Sequence, residues 1–183
     1  MHFTSERLVF RELREEDFHL FYSVFSNEQV MKYALMDRVA TEEELRPYFD
    51  QILKNNQTFE NREGYEYAVL SAIDGSFIGV ADIMILLQNM RPTGGEIGYF
   101  LLPAFWGKGY ATEIASKLTE ICFSNLKLHR VVARCNANNL QSEKIMKKVG
   151  MKKEGELRKA RFKDGRWDNE LHYSILAEEW KQR

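Results

Sequence analysis

The chain has 183 residues and a mass of 21.5 kDa, with 44% hydrophobic and 29% charged residues and a net charge of −1. This composition excludes a disordered chain, a collagen-like repeat and a disulfide-rich scaffold, and the length suits one domain over residues 1–183. Apolar runs such as 83–87 are too short to span a bilayer, and no signal-peptide pattern begins the chain. With only Cys122 and Cys135 available to pair, a reduced, cytoplasmic setting without membrane partners is expected.

The small net charge conceals two opposite biases. Residues 1–60 hold 12 acidic and 7 basic side chains, whereas residues 144–166 hold 10 Lys or Arg and 3 acids. Such runs usually form a solvated charged face, and the alternative is a local site for a polyanionic ligand. Nucleic acid is a weaker candidate, because the whole chain is slightly acidic and has no basic-aromatic recognition motif.

Hydrophobic periodicity predicts strands and helices in an irregular alternation. Thr41 to Glu44 fits a helix capping box, Asp74-Gly75 indicates a hairpin turn, and Gly150 is a typical helix end. The predicted elements, in chain order, are a strand at 7–13, helices at 15–25 and after Thr41, strands at 65–73, 77–87 and 95–102, a helix at 110–125, a strand at 128–135, a helix at 140–149, strands at 156–163 and 167–176, and a short helix at Trp180.

This order is not a regular βαβ series, so a TIM barrel or a doubly wound sheet is not expected. A mixed sheet with helices on both faces fits better. The strand, long helix and strand over residues 95–135 should form a parallel strand pair, with the helix crossing one face of the sheet.

The segment from Gly95 to Glu113 runs from a strand through a glycine-containing loop into a helix. Main-chain N–H groups that converge at a helix N-terminus suit a phosphate or pyrophosphate. A Walker loop is excluded because Leu102 and Gly109 stand where that motif needs Gly and Ser or Thr. A dinucleotide fingerprint is excluded because Thr112 stands where it needs its third Gly. Taken alone, the loop fits a tight turn without a ligand equally well.

A second segment, from Asn136 to Gly150, also follows a strand and opens a helix. Asn139 is a suitable N-cap and Ser142 an ordinary first-turn residue, so neither residue alone indicates catalysis.

Together the two segments resemble the GNAT superfamily of acetyl-CoA-dependent N-acetyltransferases, and most closely its Rim-type branch of ribosomal-protein N-terminal alanine acetyltransferases. The resemblance spans nearly the whole chain. It rests on Thr4 to Arg11, Glu96 to Tyr99, Trp106-Gly-Lys-Gly-Tyr-Ala-Thr-Glu113, Asn139 to Ser142 with Lys148 to Gly150, Glu154-Gly155, and Asp168 to Trp180.

The resemblance implies an α/β (mixed α+β) fold. Its central sheet would be twisted, mixed and mostly antiparallel, with about seven strands, helices on both faces and a splayed parallel strand pair that binds acetyl-CoA.

The resemblance also implies which residues bind the coenzyme. The pyrophosphate would lie on the main chain of the loop, the pantetheine along the strand edge at 100–102, and Asn139 and Ser142 near the pantetheine and the sulfur. Lys144, Lys147 and Lys148 are candidates for the 3′-phosphate. The expected coenzyme-binding residues are Phe100, Leu101, Leu102, Trp106, Gly107, Lys108, Gly109, Tyr110, Ala111, Thr112, Asn139, Ser142, Lys144 and Lys148.

Two positions depart from the superfamily pattern. Ala104 replaces a Gln or Arg that often begins the loop, which would remove one side-chain contact but leave the main-chain N–H groups. Met146 replaces a Tyr general acid, a loss that is typical of the Rim-type branch and shifts attention to Ser142.

The implied reaction is direct acetyl transfer from acetyl-CoA to a primary amine. Glu96 is proposed as the base, acting through a water. The alternative interpretation, that Glu96 is a surface carboxylate or an ion-pair partner, fits the sequence nearly as well. Ser142 suits a hydrogen-bond donor or proton relay better than an acid. No metal-ligand spacing is present among the four histidines, so no metal is expected.

The acceptor is less constrained. An N-terminal α-amine of a protein such as a ribosomal protein is the first expectation. Its pKa of about 8 is lower than that of a lysine side chain, so it needs less help to become the neutral nucleophile at neutral pH. A polyamine, an amino acid or an aminoglycoside is the alternative, and the acidic bias of residues 1–60 agrees with a cationic acceptor. By family analogy, its site lies between the first two helices and the loop joining the last two strands.

Two other classes of function stay open at this stage. They are a non-catalytic acyl-CoA-binding module and an unrelated nucleotide-binding domain. A monomer or a homodimer is expected.

Overall fold

The computed structural model describes residues 1–58 and 62–181, which are built around one eight-stranded sheet. The strands are β1 (His2–Thr4), β2 (Leu8–Glu12), β3 (Gly64–Ser71), β4 (Phe77–Gln88), β5 (Arg91–Leu101), β6 (Arg130–Asn136), β7 (Lys152–Lys163) and β8 (Arg166–Leu176). The helices are α1 (Phe18–Phe25), α2 (Glu28–Met31), α3 (Glu42–Asn56), α4 (Tyr110–Glu120), α5 (Leu140–Val149) and α6 (Ala177–Lys181).

The strands lie in the order β1-β2-β3-β4-β5-β6-β8-β7. Neighbours are antiparallel throughout except for β5 and β6, which are parallel. The parallel pair follows from the connection between them, because α4 crosses one face of the sheet before the chain returns as β6. The mixed, mostly antiparallel fold is therefore confirmed. The eighth strand is β1, which is too short for its alternation to be recognised in the sequence.

Side chains alternate between the two faces of the sheet and form two apolar cores. One core packs the sheet against α4 and α5, and it includes Phe10, Tyr67, Ile83, Ile114 and Leu118. The other core packs the opposite face against α1 and α3, and it includes Phe21, Val24, Phe49, Ala68 and Val80. Helices therefore lie on both faces, as the sequence predicts.

Local signals set most helix ends where they are expected. The Thr41 hydroxyl accepts the Glu44 N–H at 3.4 Å and begins α3, while the Glu44 carboxylate accepts the N–H of Ala40, one residue before the usual capping-box position. Gly150, at a φ of 87°, ends α5. The single-turn helix α2 was not predicted, because four residues are too few to show a helical period.

None of the helices in the described ranges is long and apolar enough to cross a membrane.

A buried ion pair joins β2 to the start of α1. Asp17 is 2% exposed and accepts hydrogen bonds from Nη1 and Nη2 of Arg11, at 2.6 and 2.8 Å, and from the N–H of Arg14 at 2.8 Å. Burial acts to raise the pKa of Asp17, but these hydrogen bonds and the charge of Arg11 outweigh it and leave the pKa lowered.

We expect Asp17→Ala to reduce the free energy of unfolding by about 3 kcal/mol, because it leaves the Arg11 guanidinium without its partner. The stabilisation from Asp17 should be fully present above the ordinary aspartate pKa and be lost as pH falls through the lowered one. Urea unfolding between pH 2 and 7 measures both. Asp50→Ala is the matched control, because Asp50 pairs with Arg46 while 54% exposed and should contribute little. Equal losses in the two variants would contradict this expectation.

Candidate active site

The loop between β5 and α4 is shaped by two glycines with positive φ. Pro103 begins a short 3-10 turn after β5, and α4 begins at Tyr110. Gly107 has a φ of 74°, and Gly109, which is the N-cap of α4, has a φ of 83°. Residues with a Cβ avoid this conformation, so the sequence Gly-Lys-Gly allows the chain to turn sharply into the helix.

This turn leaves a run of main-chain donors unpaired. Within the described ranges, no hydrogen bond is made by the N–H groups of residues 107–112. The Trp106 N–H is different, because it donates to the Pro103 carbonyl at 3.1 Å. The available donors are therefore 107–112, and Trp106, which the resemblance includes among the coenzyme-binding residues, has its N–H already paired. Unpaired N–H groups at the positive end of a helix dipole bind phosphate groups well.

The loop is braced by Arg7, which directly precedes β2, and by Glu113 in the first turn of α4, two residues that were not recognised from the sequence. Arg7 donates to the Lys108 carbonyl at 3.0 Å and to the Glu113 carboxylate at 2.7 Å, and its guanidinium lies over the Tyr110 ring. Glu113 also accepts the Ser5 hydroxyl. Because the peptide between Lys108 and Gly109 is planar and trans, the Gly109 N–H points away from the carbonyl that Arg7 holds.

A gap opens between the two parallel strands beside this loop. β5 and β6 pair only at Gly95 with Val131 and at Glu96 with Val132. Beyond these pairs, β5 continues beside β4 and β6 continues beside β8. The splayed parallel pair is therefore present, with a free edge on each strand.

Strand alternation decides which groups of β5 face the gap. The Leu102 N–H donates to the Ile78 carbonyl of β4 at 2.9 Å, so the main chain of Phe100, two residues earlier, also faces β4. The polar groups of Tyr99 and Leu101 face the gap instead. The Leu101 carbonyl accepts the Trp106 indole N–H at 2.8 Å. The Phe100 ring packs against Phe25 on the opposite side from α4.

Asn139 and Ser142 lie where α5 begins. The Asn139 side-chain oxygen accepts the Ser142 N–H at 3.1 Å, which leaves the Asn139 amide nitrogen free to donate. Tyr99 of β5 and Cys135 of β6 are near the Ser142 hydroxyl. Burial raises the pKa of Tyr99 to about 12 and of Cys135 to about 11, while Ser142 opposes both shifts. A thiol with so high a pKa is a poor nucleophile, which argues against a covalent acetyl-enzyme at Cys135.

The basic stretch contains paired and unpaired lysines. Lys147 pairs with Glu143 at 2.8 Å, and Lys153 with Glu156 at 3.0 Å. Lys144 and Lys148 lie four residues apart on α5, are exposed, and make no ion pair within the described ranges. Among the lysines of α5, these two are therefore free to meet an external anion.

Glu96 is engaged by an arginine from the neighbouring strand. The Arg134 Nε donates to Glu96 at 2.7 Å, and the same guanidinium is 3.3 Å from the buried Glu170. Glu96 and Arg134 border an open cavity of about 330 Å³ that His172 also lines. Glu96 is therefore reachable from solvent, and its carboxylate is already paired.

A second carboxylate pair lies on the same face of the sheet and was missed. Asp82 of β4 stands between Glu66 of β3 and Gly98 of β5 in the strand register. Burial, followed by the charges of Glu66 and Glu96, raises the pKa of Asp82 to about 7. Burial also raises the pKa of Glu66. An acid inside the apolar run 78–87 was the signal in the sequence.

The expected acceptor region is closed on one side by Lys163. Its ammonium, at the end of β7, donates to the carbonyls of Met31, Ala34 and Met36 at 2.6, 3.1 and 2.8 Å. Burial lowers the pKa of Lys163. A small cavity of about 100 Å³ lies beside this contact and reaches Asn136 at the end of β6.

Within the described ranges, His, Cys, Asp and Glu do not form any group of three or more that could hold a metal ion.

Comparison with known proteins agrees with this geometry. Residues 7–152 match the family model described as an acetyltransferase (GNAT) domain. The chain is 33% identical over 180 residues to the uncharacterized N-acetyltransferase YnaD of Bacillus subtilis, covering 98% of this chain and 99% of that protein. It is 32% identical over 122 residues to Bacillus subtilis YdaF, whose name provisionally assigns a ribosomal N-acetyltransferase, covering 63% and 66%.

A solved structure of spermidine N-acetyltransferase from Vibrio cholerae, in complex with CoA and spermine, superposes with a TM-score of 0.84. It covers 97% of this chain and 99% of that one at 19% sequence identity, so the likeness is one of fold.

The chain belongs to the GNAT acetyltransferase family. It is an acetyl-CoA-dependent N-acetyltransferase. The run of unpaired N–H groups and the open edges of β5 and β6 fit acetyl-CoA, which is its donor substrate.

We expect Gly109→Ala to weaken CoA binding about tenfold, a loss of about 1.4 kcal/mol. An added Cβ at a φ of 83° strains the turn and moves the N–H groups that face the ligand. Gly75→Ala is the matched control, because Gly75 has a φ of 71°, lies in the β3–β4 turn and has open space around its Cβ position. Calorimetric titration with CoA measures both. Equal affinity of the two variants would contradict the expectation.

Proposed function

We propose that the protein transfers the acetyl group of acetyl-CoA to the N-terminal α-amine of a protein, such as a ribosomal protein, by direct attack in a ternary complex. The observation that carries this proposal is the run of unpaired N–H groups at 107–112, at the end of the strand edge that faces the β5–β6 gap. We keep a cytoplasmic setting in the proposal, since Cys122 and Cys135 are both free and buried.

In this proposal the coenzyme lies across both segments singled out in the sequence. The N–H groups of 107–112 hold the pyrophosphate, and the main chain of Tyr99 and Leu101 pairs with the pantetheine as an added strand would. The free amide nitrogen of Asn139 donates to the pantetheine, and the Ser142 hydroxyl donates to the departing sulfur. Positioning of amine and thioester supplies most of the rate gain.

The chemistry of the acceptor favours an α-amine. Only the neutral amine attacks, and an α-amine with a pKa of about 8 is neutral far more often at pH 7 than a lysine amine with a pKa of about 10.4. The relative YdaF supports this choice through the assignment in its name.

A small polyamine is the second candidate acceptor. Asp82, next to Glu66 and Glu96, gives this face of the sheet a carboxylate without a matching cation, and cationic acceptors bind best where such charge is uncompensated. The Vibrio cholerae structure named above, a spermidine N-acetyltransferase, supports this alternative.

Mass spectrometry of a panel of amines tests the proposal. We expect acetyl-CoA to label peptides at the free N-terminus, and lysine side chains much less at pH 7. The panel contains peptides with different first residues, the same peptides blocked at the N-terminus, and spermidine. Labelling of spermidine without labelling of any peptide would contradict the α-amine acceptor and support the polyamine. The absence of any product would contradict both.

We expect Ser142→Ala to lower kcat about 100-fold while the Kd for CoA stays within twofold, because the hydroxyl matters when negative charge develops on sulfur. Ser124→Ala is the control, since Ser124 is exposed and distant in sequence from both motifs. Steady-state kinetics and calorimetry separate the two quantities. An unchanged kcat would remove Ser142 from the mechanism.

We expect the double variant Lys144→Ala with Lys148→Ala to weaken binding of CoA about tenfold and to leave binding of 3′-dephospho-CoA unchanged. These unpaired ammonium groups should meet the 3′-phosphate. Lys147→Ala is the matched control, because Lys147 already pairs with Glu143. A similar loss with both ligands would show that the two lysines act elsewhere.

A further inference from the structure

Asp82 occupies space that a side chain at Gly98 would need. The two residues are register partners on β4 and β5. A Cβ built on Gly98 would overlap Asp82 Oδ1 and lie 3.0 Å from its Cγ and its other oxygen. The carboxylate therefore rests directly on the segment of β5 whose other edge opens into the gap.

Asp82 also lacks a cation. Its neighbours on the adjacent strands are the carboxylates Glu66 and Glu96, and Tyr48 of α3 is a further titratable neighbour. The nearby Arg134 is bound to Glu96 and Glu170. Within the described ranges, the Asp82 carboxylate makes no hydrogen bond or ion pair. A carboxylate in this state is free to accept a proton.

Glu96 is less suited to that task. Its Oε1 accepts a hydrogen bond of 2.7 Å from the Arg134 guanidinium. A charge-assisted bond of this kind is strong, and a proton arriving at the same oxygen must break it. The base assigned from the resemblance is therefore committed to another partner, and a free carboxylate stands on the adjacent strand.

We propose that Asp82, rather than Glu96, takes the proton from the acceptor ammonium. This role rests on the direct attack proposed above. The ammonium brings three protons on nitrogen. One passes to the Asp82 carboxylate, and the freed electron pair forms the C–N bond. The C–S bond breaks with its electron pair on sulfur, a second proton from nitrogen ends on that sulfur, and the third stays on the amide. Asp82 then returns its proton to solvent.

The environment of Asp82 matches this role. A base works best when its pKa lies near the working pH. Burial first, and then the charges of Glu66 and Glu96, raise the pKa of Asp82 to about 7. Replacing either neighbouring carboxylate by its amide removes a negative charge, so the pKa of Asp82 should fall.

The pH dependence of kcat/KM tests the proposal. We expect Asp82→Asn to lower kcat about 100-fold, to keep the Kd for CoA, and to lose the rise in rate near pH 7. The loss of kcat in Glu96→Gln should be at least tenfold smaller than the loss in Asp82→Asn. Glu66→Gln leaves Asp82 in place and should move the rise to lower pH, a shift that a purely structural role would not produce.

A readout on the free protein complements the kinetics. The protonated form of Asp82 is favoured in the folded state, so its contribution to stability is present below pH 4 and is lost as pH rises through about 7. Asp82→Asn should therefore gain stability relative to wild type between pH 4 and 8 in urea unfolding. A constant difference over that range would overturn the proposal.

The outcomes separate this proposal from the function on which it rests. An active wild type with an equally active Asp82→Asn, or a Glu96→Gln that loses both kcat and the rise near pH 7, overturns the role of Asp82 alone. A wild type that acetylates no amine in the panel overturns the proposed function, and the role of Asp82 with it.

Discussion

The site depends on one short contact, the parallel pairing of β5 and β6 at two residue pairs. Two glycines make that contact possible. A Cβ at Gly94 would lie 2.8 Å from the Arg130 carbonyl, and a Cβ at Gly95 would lie 3.0 Å from Leu128. The strands are therefore pressed together at one end, while hydrogen bonds to β4 and β8 draw them apart at the other. The resulting gap is a consequence of sheet geometry, and it opens beside the start of α4.

The sheet also separates two kinds of charge. The N-terminus of α4 presents unpaired N–H groups, which suit the phosphates of the donor. The acids Glu66, Asp82 and Glu96 point to the face that carries α1 and α3, which suits a cationic amine. If the acids shared the side of the loop, they would repel the donor. In the proposed function, β5 lies between the two kinds of charge, so the donor phosphates and the acceptor amine would each meet the charge that suits them.

The sequence could predict those parts that are encoded locally. The helices α4 and α5, the glycine turn and the Asn139 cap are each defined by residues within a few positions, so periodicity and turn chemistry suffice. The contacts that hold the site are not local. Arg7 and Glu113 are separated by 106 residues and Arg134 and Glu96 by 38. A strand register is needed before these pairs can be seen, and Asp82 becomes conspicuous only once Gly98 lies opposite it.

The expected acceptor side is assembled from distant segments in the same way. Lys163 of the β7–β8 hairpin donates to the carbonyls of Met31, Ala34 and Met36, at the end of α2 and just after it, so two segments that are far apart in the sequence form one wall. Asn136 at the end of β6 donates to Asp168 of β8 at 2.8 Å, which fixes the position of Asn136 in the cavity beside this wall. Because Lys163 bonds to main-chain carbonyls, the backbone of this wall can keep its position when exposed side chains on it are substituted. In the proposed function, the residues that bind the phosphates and those that contact the amine belong to separate parts of the fold, so acceptor preference would be free to change while the donor loop is kept.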